Sequence, residues 1–151
     1  MTGSRRRFSS HLATAAIAAL SIAALAGCGD SDDGGTTEAE FPGFEITGNW
    51  SGTLEQEGLQ PFRVVARIEG LEDTSRKRVR YSGAIECGGR WTYLGREGTA
   101  YRFREVIDRG AGQSCKGTGT VTLTPFAADA VDYEFRGGGV ESFGVLNRRG
   151  G

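Results

Sequence analysis

From Ile46 onward the apolar positions recur at every second residue rather than every third or fourth. Phe62, Val64, Ala66 and Ile68 alternate with Arg63, Val65, Arg67 and Glu69. Tyr101, Phe103, Glu105 and Ile107 alternate with Arg102, Arg104, Val106 and Asp108. The same period runs through Val79, Tyr81, Gly83, Ile85 and Cys87, through Val121 and Leu123, and through Val131, Tyr133 and Phe135. A period of two puts successive side chains on opposite faces of a strand, and no window carries a helix of useful length. Gly58, Gly70, Gly88-Gly89, the stretch 95–98, the stretch 110–112, Pro125 and the stretch 137–139 punctuate the runs. About eight strands are predicted, over 46–56, 61–69, 78–87, 90–95, 99–107, 114–124, 130–136 and 140–147. "CGGR" (87–90) reads as a two-residue hairpin, a turn in which both central positions favour positive φ. Short connections between consecutive strands imply an antiparallel meander, and closing it removes exposed edges. The expected fold is therefore all-β, an antiparallel up-and-down, lipocalin-like barrel, with a two-sheet sandwich as the alternative. The facing of the last strand stays open, because Phe143 and Val145 compete with Gly144 and Leu146.

The first 45 residues follow different rules. Arg5, Arg6 and Arg7 precede a 15-residue apolar run, 12–26, in which eight residues are alanine. A membrane-spanning helix needs about 20 apolar residues, so this run suits an export signal better than a permanent span. Leu25-Ala26-Gly27-Cys28 resembles a bacterial lipobox. That resemblance implies a signal peptide over 1–27, cleavage before Cys28, and a diacylglyceryl group with acyl chains such as palmitate on its thiol. Two acyl chains give stable anchoring where one gives only reversible binding. Ser4-Arg5-Arg6-Arg7-Phe8 also resembles a twin-arginine export motif, and the general secretory route stays equally open. Residues 29–45 carry six acids and no base, and with Cys28 they read as a lipidated, acidic, flexible tether over 28–45. The barrel domain is expected over 46–151.

Charge changes the picture in one respect. Residues 1–27 hold three of the 18 basic residues and no acid, so 15 bases face 19 acids over 28–151, a net charge of −4. No basic patch of the kind that binds nucleic acid stands out. Arg63, Arg67, Arg78, Arg80, Arg102 and Arg104 share the phase opposite the core, a solvated outer face that could also meet anionic envelope polymers or headgroups. With Cys28 lipidated, Cys87 and Cys115 remain. They either pair, which an oxidising compartment permits, or stay as buried thiols.

"GNWSGTL" (48–54), "YSGAIECGG" (81–89), "YRFREVI" (101–107), "SCKGTGTVTLTP" (114–125) and "GVLNR" (144–148) occur in an order that resembles a small all-β extracytoplasmic domain. Actinobacterial lipoproteins carry this domain, as do the C-terminal ends of some serine/threonine protein kinases. The resemblance covers roughly 46–148. It implies a Cys87–Cys115 disulfide, a place on the outer face of the cytoplasmic membrane, and envelope binding or sensing rather than catalysis.

The chemistry legible in the chain is sparse. The one histidine, His11, lies in the signal, so a histidine base or imidazole metal ligand is not expected, and neither a metal nor a cofactor is. Glu105 is the residue out of keeping with its surroundings, because it shares the inward phase of Tyr101, Phe103 and Ile107. It reads as a structural partner inside the barrel or as a polar anchor for a ligand at the barrel mouth. Tyr101, Tyr133 and Trp91 are the aromatic candidates to line such a site, from a wider set that includes Trp50, Tyr81 and Tyr93. Gly52, Gly83, Gly117 and Gly119 share the apparent inner phase and either offset the aromatics or open a cavity. The stretches 70–77 and 108–114 are candidate protruding loops. A lipid-anchored, exported binding or sensing module with no catalysis is expected, taking a small hydrophobic ligand, an envelope polymer or an exported protein. An envelope structural protein, or a protease-inhibitor-like barrel acting through its loops, is the alternative.

Overall fold

The computed structural model describes residues 41–72, 76–112 and 115–150. The expected signal peptide, Cys28 and most of the expected tether lie outside these residues, as do parts of both candidate loops. Eight strands follow one another: β1 (Gly48–Gln56), β2 (Phe62–Ile68), β3 (Lys77–Ser82), β4 (Cys87–Glu97), β5 (Ala100–Arg109), β6 (Thr118–Ala127), β7 (Ala130–Gly137) and β8 (Val140–Arg148). Each pairs antiparallel with the next, and β8 returns to β1, so the sheet closes into an up-and-down barrel. The expected fold is the observed one.

The barrel interior is filled by the inward phase of every strand, from Trp50 and Leu54 on β1 to Leu146 on β8. The inward glycines offset large neighbours instead of leaving space. At the β1–β8 seam Gly52 stands opposite Leu146 and Gly144 opposite Leu54. A side chain on either glycine would meet the facing leucine and the carbonyl of Val145 or Thr53. On β6, Gly119 gives its space to the Phe135 ring. The last strand's facing is thereby resolved: Ser142, Gly144 and Leu146 point inward, and Phe143 and Val145 point out.

Three expectations are corrected. Gly88 and Gly89 form no hairpin; they lie inside β4 opposite Arg80 and Val79, and neither takes a positive φ. The turn comes earlier, over 83–86, where Gly83 has φ +106°. Glycine is required at 89 for another reason, since a Cβ would strike the Val106 carbonyl of β5. Pro125 punctuates nothing; it is buried within β6 opposite Val131, beside a bulge that tolerates its missing N–H. Gly83 and Gly117 are turn glycines with positive φ rather than inward strand positions.

The two barrel ends differ. At one end Phe44 packs between Trp50 and Tyr101, with ring centroids 5.9 and 6.1 Å away. Trp50 Nε1 donates to the Ile46 carbonyl at 2.8 Å. The Arg148 guanidinium lies 4.4 Å from the Trp50 ring centroid and donates to the Thr47 and Glu45 carbonyls. The segment entering β1 thus closes this end. The opposite end, ringed by the turns at 57–61, 83–86 and 138–139 and by residues 110–112 and 115–117 of the β5–β6 connection, is the mouth.

Candidate functional site

The Cys87–Cys115 disulfide is present and ties the start of β4 to the connection between β5 and β6. It shapes one wall of the mouth. Gly112 N–H donates to the Cys115 carbonyl at 3.0 Å, and Ile107 N–H to the Gly117 carbonyl at 2.6 Å, so this connection is bonded back onto the barrel.

Beneath the mouth, four strands deliver polar atoms to one point. Glu105 on β5 is 3% exposed, directly opposite Trp91 on β4. Trp91 Nε1 donates to Glu105 Oε2 at 2.7 Å. Tyr81 from β3 donates its hydroxyl to the same oxygen at 2.5 Å. Tyr133 from β7 brings its hydroxyl to within 2.9 Å of the Tyr81 oxygen. Tyr81 has one proton, committed to the carboxylate, so Tyr133 donates to Tyr81. Burial pushes the Glu105 carboxyl above its ordinary range, while the bonds from Tyr81 and Trp91 pull it down. Tyr81 and Tyr133 are pushed well above the usual phenol value, first by burial and then by neighbouring charge, so both stay protonated.

Above this cluster lies a recess of about 30 Å³. That holds about one or two waters, far from the several hundred Å³ of a drug-sized pocket. The barrel is a packed core with a shallow mouth. Phe62, Ile85, Ile107 and Phe135 form an apolar collar, and Lys116 stands on the rim. Ser142, buried on β8, lines the recess and donates to the Gln56 side-chain oxygen at 2.8 Å. A larger depression of about 540 Å³ lies along the outside of β6–β8, where exposed Phe143 and Val145 are flanked by Asp132, Glu134 and Glu141.

Of the residues read from sequence, Glu105, Trp91 and Tyr133 come together, and Tyr101 does not. Tyr101 faces inward at the closed end, packed at a tilt against Phe44 and Tyr93 under the Arg96 guanidinium. Four strand residues, about 13 Å, separate it from Glu105. Tyr81 completes the cluster; its inward phase was legible, but its partnership with Tyr133 across 52 residues was not. Lys77, expected at a loop end, is the fully buried first residue of β3.

The outer surface is divided by charge. Arg67, Arg78 and Arg90 stand directly opposite one another across β2, β3 and β4. Arg67 pairs with Glu69 at 2.6 Å, and Arg78 and Arg90 share Asp108 Oδ2 at 3.1 and 3.2 Å. Arg63, Arg80 and Arg104 are exposed on the same face with no ion pair among the described residues. Among the described residues, no His, Cys, Asp and Glu group could hold a metal ion, and no helix is long and apolar enough to cross a membrane. No family model matches the chain, and no curated protein matches it either.

Proposed function

We propose that this protein is a lipid-anchored, exported binding or sensing module whose working site is the barrel mouth. The single observation that carries the binding half is the Glu105 cluster: a buried carboxylate, held by two donors on one oxygen, at the floor of a recess that opens to solvent. The anchoring half rests on Leu25-Ala26-Gly27-Cys28 behind its basic and apolar leader, and on the resemblance to actinobacterial extracytoplasmic domains. The disulfide supports an oxidising compartment. In this reading Cys28 holds the protein to the outer face of the cytoplasmic membrane, the acidic tether spaces the barrel from it, and no catalytic step is performed.

The test is to express the full chain and its Cys28→Ser variant in an actinobacterial host and fractionate the cells. The wild type is expected in the membrane fraction, with a denatured mass of 28–151 plus a diacylglyceryl group. The variant is expected to lose both properties. A wild-type chain released to the medium without added mass would overturn the anchoring. A second reading draws on the arginine face: a filled barrel acting through its surface as an envelope structural protein against an anionic polymer.

A further inference from the structure

We propose that the barrel mouth binds the primary ammonium group of a ligand, with Glu105 Oε1 as its counter-ion. This rests on the reading of the mouth as the working site and names the chemistry that fits it.

The hydrogen-bond polarity of the cluster carries the inference. Trp91 and Tyr81 both donate to Oε2, and Oε1 has no partner among the described residues. No fully sealed side-chain polar atom lacks a partner among those residues, so Oε1 opens onto the recess that Glu105 lines. The Tyr133 proton is turned toward Tyr81, which leaves oxygen lone pairs on its free side. The Ser142 proton is turned toward Gln56, which leaves lone pairs on Ser142 Oγ. Three oxygens lining the recess therefore present acceptors. Gln56 and Lys116 also line the recess and bring donors, but a group that meets the three oxygens must donate, and an ammonium carries three N–H donors.

Charge points the same way. A buried carboxylate calls for a counter-charge, and no described cation is among the groups that act on Glu105. Lys116, the charged group on the rim, is exposed, and water screens its repulsion of an entering cation. Size narrows the class. About 30 Å³ admits a nitrogen and its first carbon, and the collar of Phe62, Ile85, Ile107 and Phe135 suits a methylene stem leading out of the mouth. A quaternary ammonium has no N–H to give, and a guanidinium is too broad.

The Trp91 indole N–H reports on the site because it is bonded to the other oxygen of the same carboxylate. The full chain, labelled with ¹⁵N-tryptophan, is titrated with n-propylammonium chloride at constant ionic strength; n-propanol and tetramethylammonium chloride serve as controls. Propylammonium is expected to shift the Trp91 resonance saturably and leave that of Trp50, at the closed end, in place. Neither control should do so, and Glu105→Gln should weaken binding at least tenfold. Should Glu105→Gln fail to fold, the wild type decides the matter through pH. Binding should weaken as acid protonates Glu105, since Tyr81 and Tyr133, both raised by burial, hold their protons throughout. Equal shifts with propanol, or binding that ignores both Glu105→Gln and pH, would overturn the ammonium assignment and leave the mouth as a site for something else. No shift with any probe, in a protein that also carries no bound mass from its host, would overturn the assignment and the mouth reading together.

Discussion

Glu105 concentrates the chemistry of this protein in one side chain. Its carboxyl is raised by burial, so the folded protein holds the proton to higher pH than the unfolded chain does. The sign follows from linkage. Where the folded state binds more protons, stability falls as pH rises. The contribution of Glu105 is thus full below the unfolded carboxyl value and is lost as pH rises through the folded one. Glutamine keeps an oxygen to accept from Tyr81 and Trp91 but does not ionise. The Tm difference, Glu105→Gln minus wild type, is expected to grow as pH is raised from acid toward neutral, measured by thermal unfolding at a series of pH values. A difference independent of pH would mean that Glu105 does not titrate inside the barrel. The sequence placed Glu105 on the inner face through its phase with Phe103 and Ile107. It could not say which partners would meet it, because Tyr81 and Tyr133 arrive from β3 and β7, and periodicity carries no information about contacts across a barrel. Tyr101 shares that phase, yet depth along the strand, not phase, decides which end of the barrel it serves.

At the scale of elements, closure depends on glycines chosen for close approach. Gly144→Ala would force a methyl against the Thr53 carbonyl and Leu54 on β1. Overpacking of this kind costs about 1–3 kcal/mol. Gly70→Ala, where a Cβ meets nothing within 4 Å, should leave Tm almost unchanged. Equal effects of the two changes in thermal melts would show that the seam is not tightly packed. The Cys87–Cys115 bond closes a loop with a sequence separation of 28. Its reduction is expected to cost about 3–4 kcal/mol on the chain-entropy model, read as a lower denaturant midpoint under reducing conditions. Strand phases were legible because each face meets a different solvent. The turn at 83–86 was not, because a Gly-Gly pair signals either a positive-φ turn or a tight strand crossing. In Gly88-Gly89 the second meaning holds, and it lengthens β4 to 11 residues. Pro125 misled for a similar reason: a bulge lets a strand continue through a residue that cannot donate.

For the whole molecule, packing and charge assign different roles to inside and outside. The filled interior leaves a recess too small for a bulky hydrophobic ligand, so under the proposed function binding would fall to the mouth and the outer face. The arginine-rich face across β2–β5 places like charges side by side in a row that Asp108 and Glu69 only partly neutralise. Replacing Arg63, Arg80 and Arg104 with Gln is expected to release the protein from a phosphocellulose column at clearly lower salt, with Tm little changed. Identical elution would mean that these arginines merely solvate the surface. Such a face was visible in the alternation, whereas its division from the acidic side near Glu134 and Glu141 required the strand order of the closed barrel.

The central claim is that the mouth around Glu105 is where this protein binds. The most direct measurement is a native mass spectrum of the wild type and Glu105→Gln, purified side by side from the same actinobacterial host. The wild type should carry a discrete non-covalent mass that disappears on denaturation, and the variant should lack it. The same bound mass on both proteins would place binding elsewhere on the molecule and contradict the claim.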